Sequence, residues 1–183
     1  FEGNESWGYN PMFMFAPDKY YGTKNDLKRL IDEAHKQGIA IILDIVLNHQ
    51  FGNSPLVRMY WDALNNRPAA NSPWFNTVAR HPFNVGFDMN HESQFTRDFS
   101  DRVIEHWITE YKVDGYRFDL SKGFTQVNSG GDVGLWGRYD QSRINIWKRI
   151  ADRIWALDST SIVILEHFAD DNEEQVLTNY GML

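Results

Sequence analysis

Apolar and polar positions along the chain follow two patterns, helical spacing in some stretches and short continuous apolar runs in others. The first helical stretch follows Thr23, a candidate N-cap with Asp26 three residues later as a partial capping box. Its apolar stripe consists of Leu27, Leu30, Ile31 and Ala34. The same spacing predicts helices over residues 24–37, 94–111 and 139–156, and a last helix that begins near Asp171.

Three apolar runs alternate with these helices, over residues 39–46, 113–119 and 161–166. Continuous apolarity predicts strands that are buried on both faces, which is typical of a parallel sheet. Alternating helices and strands in this order predict right-handed βαβ units. The fold class expected from the pattern is therefore α/β with a parallel sheet.

The remaining segments lack a strong period. Residues 1–22 are aromatic and punctuated by Pro and Gly, which indicates a loop. Residues 50–92 are rich in Asn, Pro and aromatics, so this long stretch is either functional or a small subdomain. A Gly-rich loop extends to residue 137, but its glycines do not form the G-x-G-x-x-G pattern of dinucleotide-binding proteins.

The second apolar run carries charged residues where a structural strand would carry Val or Ile. Arg117 and Asp119 are two residues apart, so their side chains should point to the same side of the strand. We expect Arg117 to keep Asp119 ionised and to fix its orientation. A buried structural ion pair would produce the same pattern.

Polar residues recur at the carboxyl end of each predicted strand. Asn48 and His49 follow the first, Arg117 and Asp119 end the second, and Glu166 ends the third. Active sites of α/β barrels and open α/β sheets lie at this edge. The repetition favours catalysis over three unrelated structural roles.

Composition limits the classes of protein to be considered. The 183 residues carry a formal net charge of -7 and are 42% hydrophobic, as in a globular chain with a real core. The acidity argues weakly against nucleic acids or anionic membranes as partners, and no stretch is long and apolar enough to cross a bilayer. The absence of Cys excludes disulfides and thiolate metal sites. Aromatic residues make up 15% of the chain and suit sugar binding, although ordinary cores use them too.

Five segments together resemble the signature segments of the α-amylase superfamily, glycoside hydrolase family 13. Each is weak alone, but their order and spacing are specific: Trp7–Tyr9, Asp44–His49, Phe87–Asn90, Gly115–Asp119 and Ile164–Glu166. The resemblance implies a partial (β/α)8 TIM barrel, comprising about strands three to five of the barrel. Residues 50–92 would be a subdomain inserted after the third strand. The chain would then be one piece of a catalytic domain, inactive without the remainder of its parent chain and without the family's third carboxylate.

The same resemblance implies a reaction and its residues. Asp119 would be the nucleophile, and Glu166 the general acid and base, of a retaining hydrolase that acts on α-1,4 linkages of starch or maltooligosaccharides by double displacement. Asp44 would hold Arg117 in place. The expected acid has a raised pKa, and the nucleophile a normal or lowered one because of Arg117.

Further residues acquire roles only from the resemblance. Tyr9 and His49 would contact the sugar by stacking and by a hydrogen bond, Arg117 would contact the substrate, and Lys122 would contact the leaving side. Asn48, Asp88 and the carbonyl of Gly123 would bind a structural Ca²⁺, for which oxygen ligands are suited; hydrogen bonds across the loop are the alternative. No organic cofactor is expected. The chain departs from the family pattern at Gly123, where His is common, and at Leu165, where Gly is common.

Three other functions remain open. A sugar hydroxyl could replace water, giving a transglycosylating, branching or debranching enzyme, and the Trp7–Pro11 segment resembles debranching enzymes as much as amylases. A barrel that binds glucan without turnover is the non-enzymatic alternative. Metal-dependent hydrolysis through His49, His91 and His167 is disfavoured because no H-E-x-x-H or similar spacing is present. A polymer substrate suggests an extracellular or periplasmic setting, again by family.

Overall fold

The computed structural model describes residues 1–3 and 6–183. The helices, in chain order, are α1 (Lys24–Lys36), α2 (Pro55–Met59), α3 (Gln94–His106), α4 (Val133–Gly137), α5 (Gln141–Leu157) and α6 (Asp171–Tyr180). The strands are β1 (Ile42–Ile45), β2 (His49–Gln50), β3 (Trp61–Asp62), β4 (Arg67–Pro68), β5 (Phe87–Asp88), β6 (Gly115–Phe118) and β7 (Ile162–Leu165).

A parallel sheet of three strands forms the centre, in the order β1, β6, β7. The expected α/β fold with a parallel sheet is therefore confirmed. Gly115 at the start of β6 faces the backbone of Ile162 so closely that an added Cβ would overlap its carbonyl oxygen. Only glycine lets β6 and β7 approach this closely, and that approach brings their carboxyl ends together.

The prediction of strands buried on both faces holds for one face of the central strand only, since Arg117 on its other face is partly exposed. Tyr116 and Phe118 of β6 are fully buried against the helices. In the edge strands, Ile42 and Leu43 are half-buried and Ile162 is exposed. The difference arises because β1 and β7 each pair with one neighbour in the sheet.

The predicted helices are present with small shifts at their ends. Thr23 and Asp26 form the full capping box of α1, although Leu30 of the predicted stripe is 61% exposed. The helix predicted over 94–111 is α3 followed by a π-helical turn, Trp107–Tyr111, which ends at the left-handed Lys112. The segment between β6 and α5 is less irregular than expected, because it contains a 3-10 turn, Ser121–Phe124, and α4.

Residues 50–92 contain short antiparallel pairs rather than a regular sheet. Strand β2 pairs with β5, and β3 pairs with β4. A small core of Val57, Phe75 and Met89 lies within this region, separate from the main core of the sheet and helices. Among the described residues, no helix is long and apolar enough to cross a membrane.

Candidate active site

Four charged side chains meet at the carboxyl ends of the three central strands. The parallel register pairs Asp44 of β1 with Arg117 of β6, so the two lie side by side. Asp119 directly follows β6, and Glu166 directly follows β7. The expected convergence of strand-end residues is thus present for these four.

Arg117 joins the three carboxylates. Its Nη1 lies 3.0 Å from Asp44 Oδ1 and 3.0 Å from Asp119 Oδ1. Its Nη2 lies 3.2 Å from Glu166 Oε2. The carboxylates of Asp119 and Glu166 therefore lie on the same side of the sheet, and three acidic groups share one guanidinium. Hydrogen bonds to the carboxylates raise the pKa of Arg117 despite its burial, so the guanidinium stays charged.

The electrostatics of Asp119 differ from the expectation. Burial above all, together with the nearby Glu166, raises its pKa to about 6, although Arg117 acts in the opposite direction. The prediction of a normal or lowered pKa was wrong because it considered the cation alone. At neutral pH, Asp119 is nevertheless mostly ionised.

The backbone holds Glu166 in place. Leu120 adopts left-handed dihedral angles (φ 47°, ψ 47°) immediately after Asp119. Its amide N–H donates to Glu166 Oε2 at 2.8 Å. Glu166 N donates in turn to Phe118 O at 3.1 Å. The turn that ends β6 therefore orients the carboxylate at the end of β7.

Tyr9 reaches the same cluster from the N-terminal loop. Its hydroxyl donates to Asp44 Oδ2 at 3.0 Å, and its carbonyl oxygen lies 3.0 Å from His49 Nε2. His49 is fully buried, and its other ring nitrogen lies 2.5 Å from Asn48 Oδ1. Burial lowers the pKa of His49 to about 4, so the ring is neutral. Both ring nitrogens face acceptor oxygens, and a neutral ring can donate to only one of them, so a sugar contact by His49 stays a prediction.

Lys122 is buried and does not project from the surface beside the four charged side chains. Its Nζ donates to Phe168 O at 2.7 Å and lies 4.0 Å from the centre of the Trp136 ring. Burial lowers the pKa of the ammonium, and the residue is 8% exposed. A leaving-side sugar contact would require Lys122 to leave both partners, and it stays a prediction.

The side chains of Asp88 and Asn48, which are expected to bind calcium, form hydrogen bonds within the chain. Asp88 Oδ2 accepts hydrogen bonds from Asn76 and from the Arg80 amide, and its Oδ1 lies 3.6 Å from His81 Nε2. An added Cβ at Gly123 would lie 3.0 Å from the same imidazole nitrogen, so His81 lies beside both Asp88 and Gly123.

The amide of Asn48 is engaged too, because its Nδ2 donates to Asp119 O at 2.9 Å and its Oδ1 faces His49. These contacts match the alternative of hydrogen bonds across the loop. Calcium therefore stays a prediction from the sequence, and no chemical step depends on it.

The histidines considered for a metal site do not converge. His91 Nε2 contacts Leu47 O, whereas His167 contacts Ser121 and Glu173. Within residues 1–3 and 6–183, no three His, Asp or Glu side chains are grouped to hold a metal ion. The alternative of a three-histidine hydrolase is not supported by these positions.

One buried charged cluster was missed by the sequence reasoning. Arg143 and Glu173 are 1% and 0% exposed, and they form a bidentate ion pair at 2.6 and 2.7 Å. His167, which directly follows Glu166, lies 2.8 Å from Glu173. A signal existed in the helical spacing, since Arg143 lies on the otherwise apolar face of α5.

Comparison with known proteins gives one family. The sequence model of the α-amylase catalytic domain matches residues 3–86. A pullulanase from Bacillus subtilis is 34% identical over 125 residues, covering 63% of this chain and 17% of that protein. A 1,4-α-glucan-branching enzyme from Arabidopsis thaliana is 29% identical over 176 residues, covering 88% of this chain and 20% of the enzyme. The chain belongs to the α-amylase family.

Solved α-amylase structures share the fold. Eubacterium rectale Amy13B superposes with a TM-score of 0.78 at 20% identity, covering 98% of this chain and 37% of that one. An α-amylase from Geobacillus thermoleovorans, solved with acarbose, gives a TM-score of 0.68 at 23% identity, with coverages of 96% and 36%. The chain thus spans about a fifth of the length of the curated relatives and about a third of the solved chains.

The matched segment 3–86 contains Tyr9, Asp44, His49 and Asn48, but neither Asp119 nor Glu166. The match to the family model therefore does not assign roles to these two acids. The assignment of roles depends instead on their positions at the strand ends.

Proposed function

We propose that the protein containing this chain is a retaining glycoside hydrolase that acts on α-1,4 linkages of α-glucans. The observation that carries the proposal is the sharing of Arg117 by Asp119 and Glu166 at the ends of adjacent strands. Two carboxyl groups about 5 Å apart support double displacement, whereas a wider gap admits water and gives inversion. Because one guanidinium contacts both acids, the two carboxyl groups are held near each other. This favours the closer spacing, which supports double displacement.

Asp119 would attack the anomeric carbon and form a glycosyl-enzyme intermediate. Glu166 would protonate the leaving glycosidic oxygen and then, as a carboxylate, remove a proton from the attacking water. Arg117 holds the two acids in place, and Asp44 and Tyr9 restrain Arg117 from the other side. Asp119 is mostly ionised at pH 7 because its pKa is about 6.

The fold supports a matching proposal for the architecture. Three parallel strands with intervening helices, related to α-amylase structures, would be about strands three to five of a (β/α)8 barrel. Residues 50–92, with their own small core, would be the subdomain inserted after the third strand. The whole of residues 1–183 would then belong to one catalytic domain.

The substrate class is inferred from the relatives, which include an α-amylase, a pullulanase and an α-glucan branching enzyme. We assign hydrolysis to this protein because Asp119 and Glu166 suffice for it with water as the acceptor. Branching or debranching would use the same two acids with a different acceptor or linkage. Incubation with amylose and with pullulan, followed by analysis of products, separates these reactions.

The test uses the full-length protein that contains this sequence and maltooligosaccharides as substrate. Proton NMR of the first product should show the α-anomer, and Asp119→Asn should abolish release of reducing sugar. Asp32→Asn, an exposed change on α1, is the matched control and should leave activity unchanged. A β-anomeric first product would contradict retention. Glucan binding without turnover by the unmodified protein would favour the non-enzymatic alternative.

A further inference from the structure

A buried chain of polar side chains connects the two strand ends that carry the acids. Ser121, two residues after Asp119, places its Oγ 2.8 Å from His167 Nδ1. His167, the residue after Glu166, places its Nε2 2.8 Å from Glu173 Oε1. The three residues are 0%, 6% and 0% exposed, so the chain of contacts excludes solvent.

Helices α5 and α6 fix the far end of this chain. Arg143 of α5 donates through Nε and Nη2 to the two oxygens of Glu173, and the Asp140 amide donates to Glu173 Oε2 at 2.8 Å. Burial opposes ionisation of Glu173, but the hydrogen bonds outweigh it and hold its pKa at about 2. The carboxylate is therefore charged and can only accept hydrogen bonds.

The charge on Glu173 sets the direction of each hydrogen bond. His167 Nε2 must carry a proton to donate to the carboxylate, and burial lowers the pKa of this imidazole, which keeps it neutral. Its Nδ1 is then an acceptor, so the Ser121 hydroxyl donates to it. Ser121 therefore donates a hydrogen bond to His167, and His167 donates one to Glu173. Arg143 is the cation that holds the Glu173 carboxylate.

This connectivity resembles a Ser-His-acid arrangement, but Ser121 is fully buried and no substrate can reach its oxygen. A nucleophilic role is therefore excluded by access. What the contacts do join is the turn after β6 and the turn after β7, which also meet through Ser121 N and Glu166 O at 3.1 Å. Trp147 Nε1 holds the same turn by donating to Ser121 O.

We propose that Ser121 and His167 are positioning residues that fix the spacing of Asp119 and Glu166 by tying their two turns to the buried Arg143–Glu173 pair. The inference deepens the proposed function, since spacing matters only if the two acids act together. Misplacement of a reacting group by about 1 Å costs on the order of a hundredfold in rate. Loss of one tie should therefore affect turnover more than binding.

The first experiment compares Ser121→Ala with Ser100→Ala in the full-length protein. Ser100 is equally buried, but it lies on α3 away from the tie between the two turns. We expect Ser121→Ala to lower kcat by about tenfold or more with KM within about twofold, and Ser100→Ala to leave both unchanged. Equal kinetics for the two variants would overturn the proposal.

The second experiment separates positioning from stability at His167. Glutamine places its amide near Nε2, so His167→Gln keeps the donor to Glu173 but loses the acceptor for Ser121. Asparagine does the opposite. Under the proposal, His167→Gln loses more activity and His167→Asn loses more stability. If activity follows unfolding midpoint in both variants, the role is structural and the proposal fails.

A third measurement does not need turnover. The Leu120 amide, which donates to Glu166, reports on the joined turns through its rate of hydrogen exchange. Ser121→Ala should accelerate this exchange by about tenfold, and Ser100→Ala should not. If the unmodified protein transfers no glucosyl group, the proposed function fails. The hydrogen-exchange rate of the Leu120 amide would still decide whether Ser121 connects the two turns. Unchanged exchange in Ser121→Ala would refute the tie.

Discussion

The two arginine clusters of this chain contain the same kinds of group and differ in their balance of charge. Arg117 serves three carboxylates that remain partly open to solvent, whereas Arg143 forms a close bidentate pair with the fully buried Glu173 and lies 4.0 Å from Asp140. In the first cluster the pKa of Asp119 is raised to about 6, and in the second the pKa of Glu173 is held at about 2. An Arg–acid pair therefore does not reveal its role; the ratio of acids to cations and the number of hydrogen bonds do.

The comparison predicts opposite outcomes when a carboxylate becomes an amide. Asp119→Asn should reduce kcat by at least about a thousandfold, because the attacking group is lost. Its raised pKa means that the charged form is disfavoured in the folded state. That carboxyl group stabilises the fold below its ordinary pKa and loses this contribution as pH rises through about 6.

The unfolding midpoint of Asp119→Asn at pH 7 should accordingly not fall below that of the unmodified protein, as measured by calorimetry. The difference between the two proteins should change between pH 4 and 7. A large loss of stability at pH 7 would show that Asp119 is a structural partner of Arg117, and the contrast with Glu173 would disappear.

Glu173→Gln should show the reverse pattern, with a large effect on stability. Arg143 would lose its bidentate partner and keep only Asp140, 4.0 Å away, and breaking a buried pair costs about 3–5 kcal/mol of the free energy of unfolding. The lowered pKa gives the sign: stability from Glu173 is present above its ordinary pKa and is lost as pH falls through about 2. Denaturant unfolding at pH 7 measures the loss.

Glu174→Gln provides the control, because Glu174 is the next residue on α6 and its carboxylate accepts from the Ala169 amide. A double change of Arg143→Met and Glu173→Leu should recover much of the lost stability, since an apolar pair of similar volume removes the unpaired charge. A destabilisation by Glu173→Gln no larger than that of Glu174→Gln would contradict the contrast between the clusters.

A smaller effect is expected on the titration of Asp119. Glu166 raises its pKa, so Glu166→Gln should move the midpoint from about 6 towards the ordinary range of an aspartate. Carbon-13 NMR of the labelled carboxyl group measures the shift. An unchanged midpoint would mean that burial alone sets the value and that the two acids are not coupled.

The smallest effect concerns Asp88, a buried acid that accepts hydrogen bonds from neutral donors and lies beside His81. Because its carboxylate is already engaged, removal of calcium with a chelator should change the unfolding midpoint by less than about 2 °C. If calcium binds, a free calcium concentration of a hundred times its Kd would add about 2.7 kcal/mol to the free energy of unfolding. This corresponds to an increase of several degrees in the unfolding midpoint. A drop of that size, reversed by added calcium, would support the oxygen ligands expected from the sequence.

Much of the fold could be predicted from the sequence because its signals are local. Helical spacing and caps located α1, α3, α5 and the start of α6, and apolar runs located the three central strands. The prediction that the side chains of Arg117 and Asp119 point to the same side followed from the two-residue period of a strand. The burial of His49 and Lys122 could not be predicted, since each depends on a loop that folds over it.

The prediction for the pKa of Asp119 was wrong for a related reason. Spacing shows that Arg117 is a neighbour of Asp119, but it does not show that Glu166 contacts the same guanidinium or how much water is excluded. The role of His167 was missed because its partners, Ser121 and Glu173, are 46 and 6 residues away and only the sheet brings them together. Charge balance in a site is a property of the assembled chain.

The left-handed turn at Leu120 also bears on how this surface can change over evolutionary time. Glu166 receives its hydrogen bond from a main-chain amide, which every amino acid except proline retains at that position. The left-handed dihedral angles still disfavour branched side chains at 120, so selection can vary this half-buried side chain only within that limit. Within it, the anchor of the neighbouring carboxylate does not depend on side-chain chemistry.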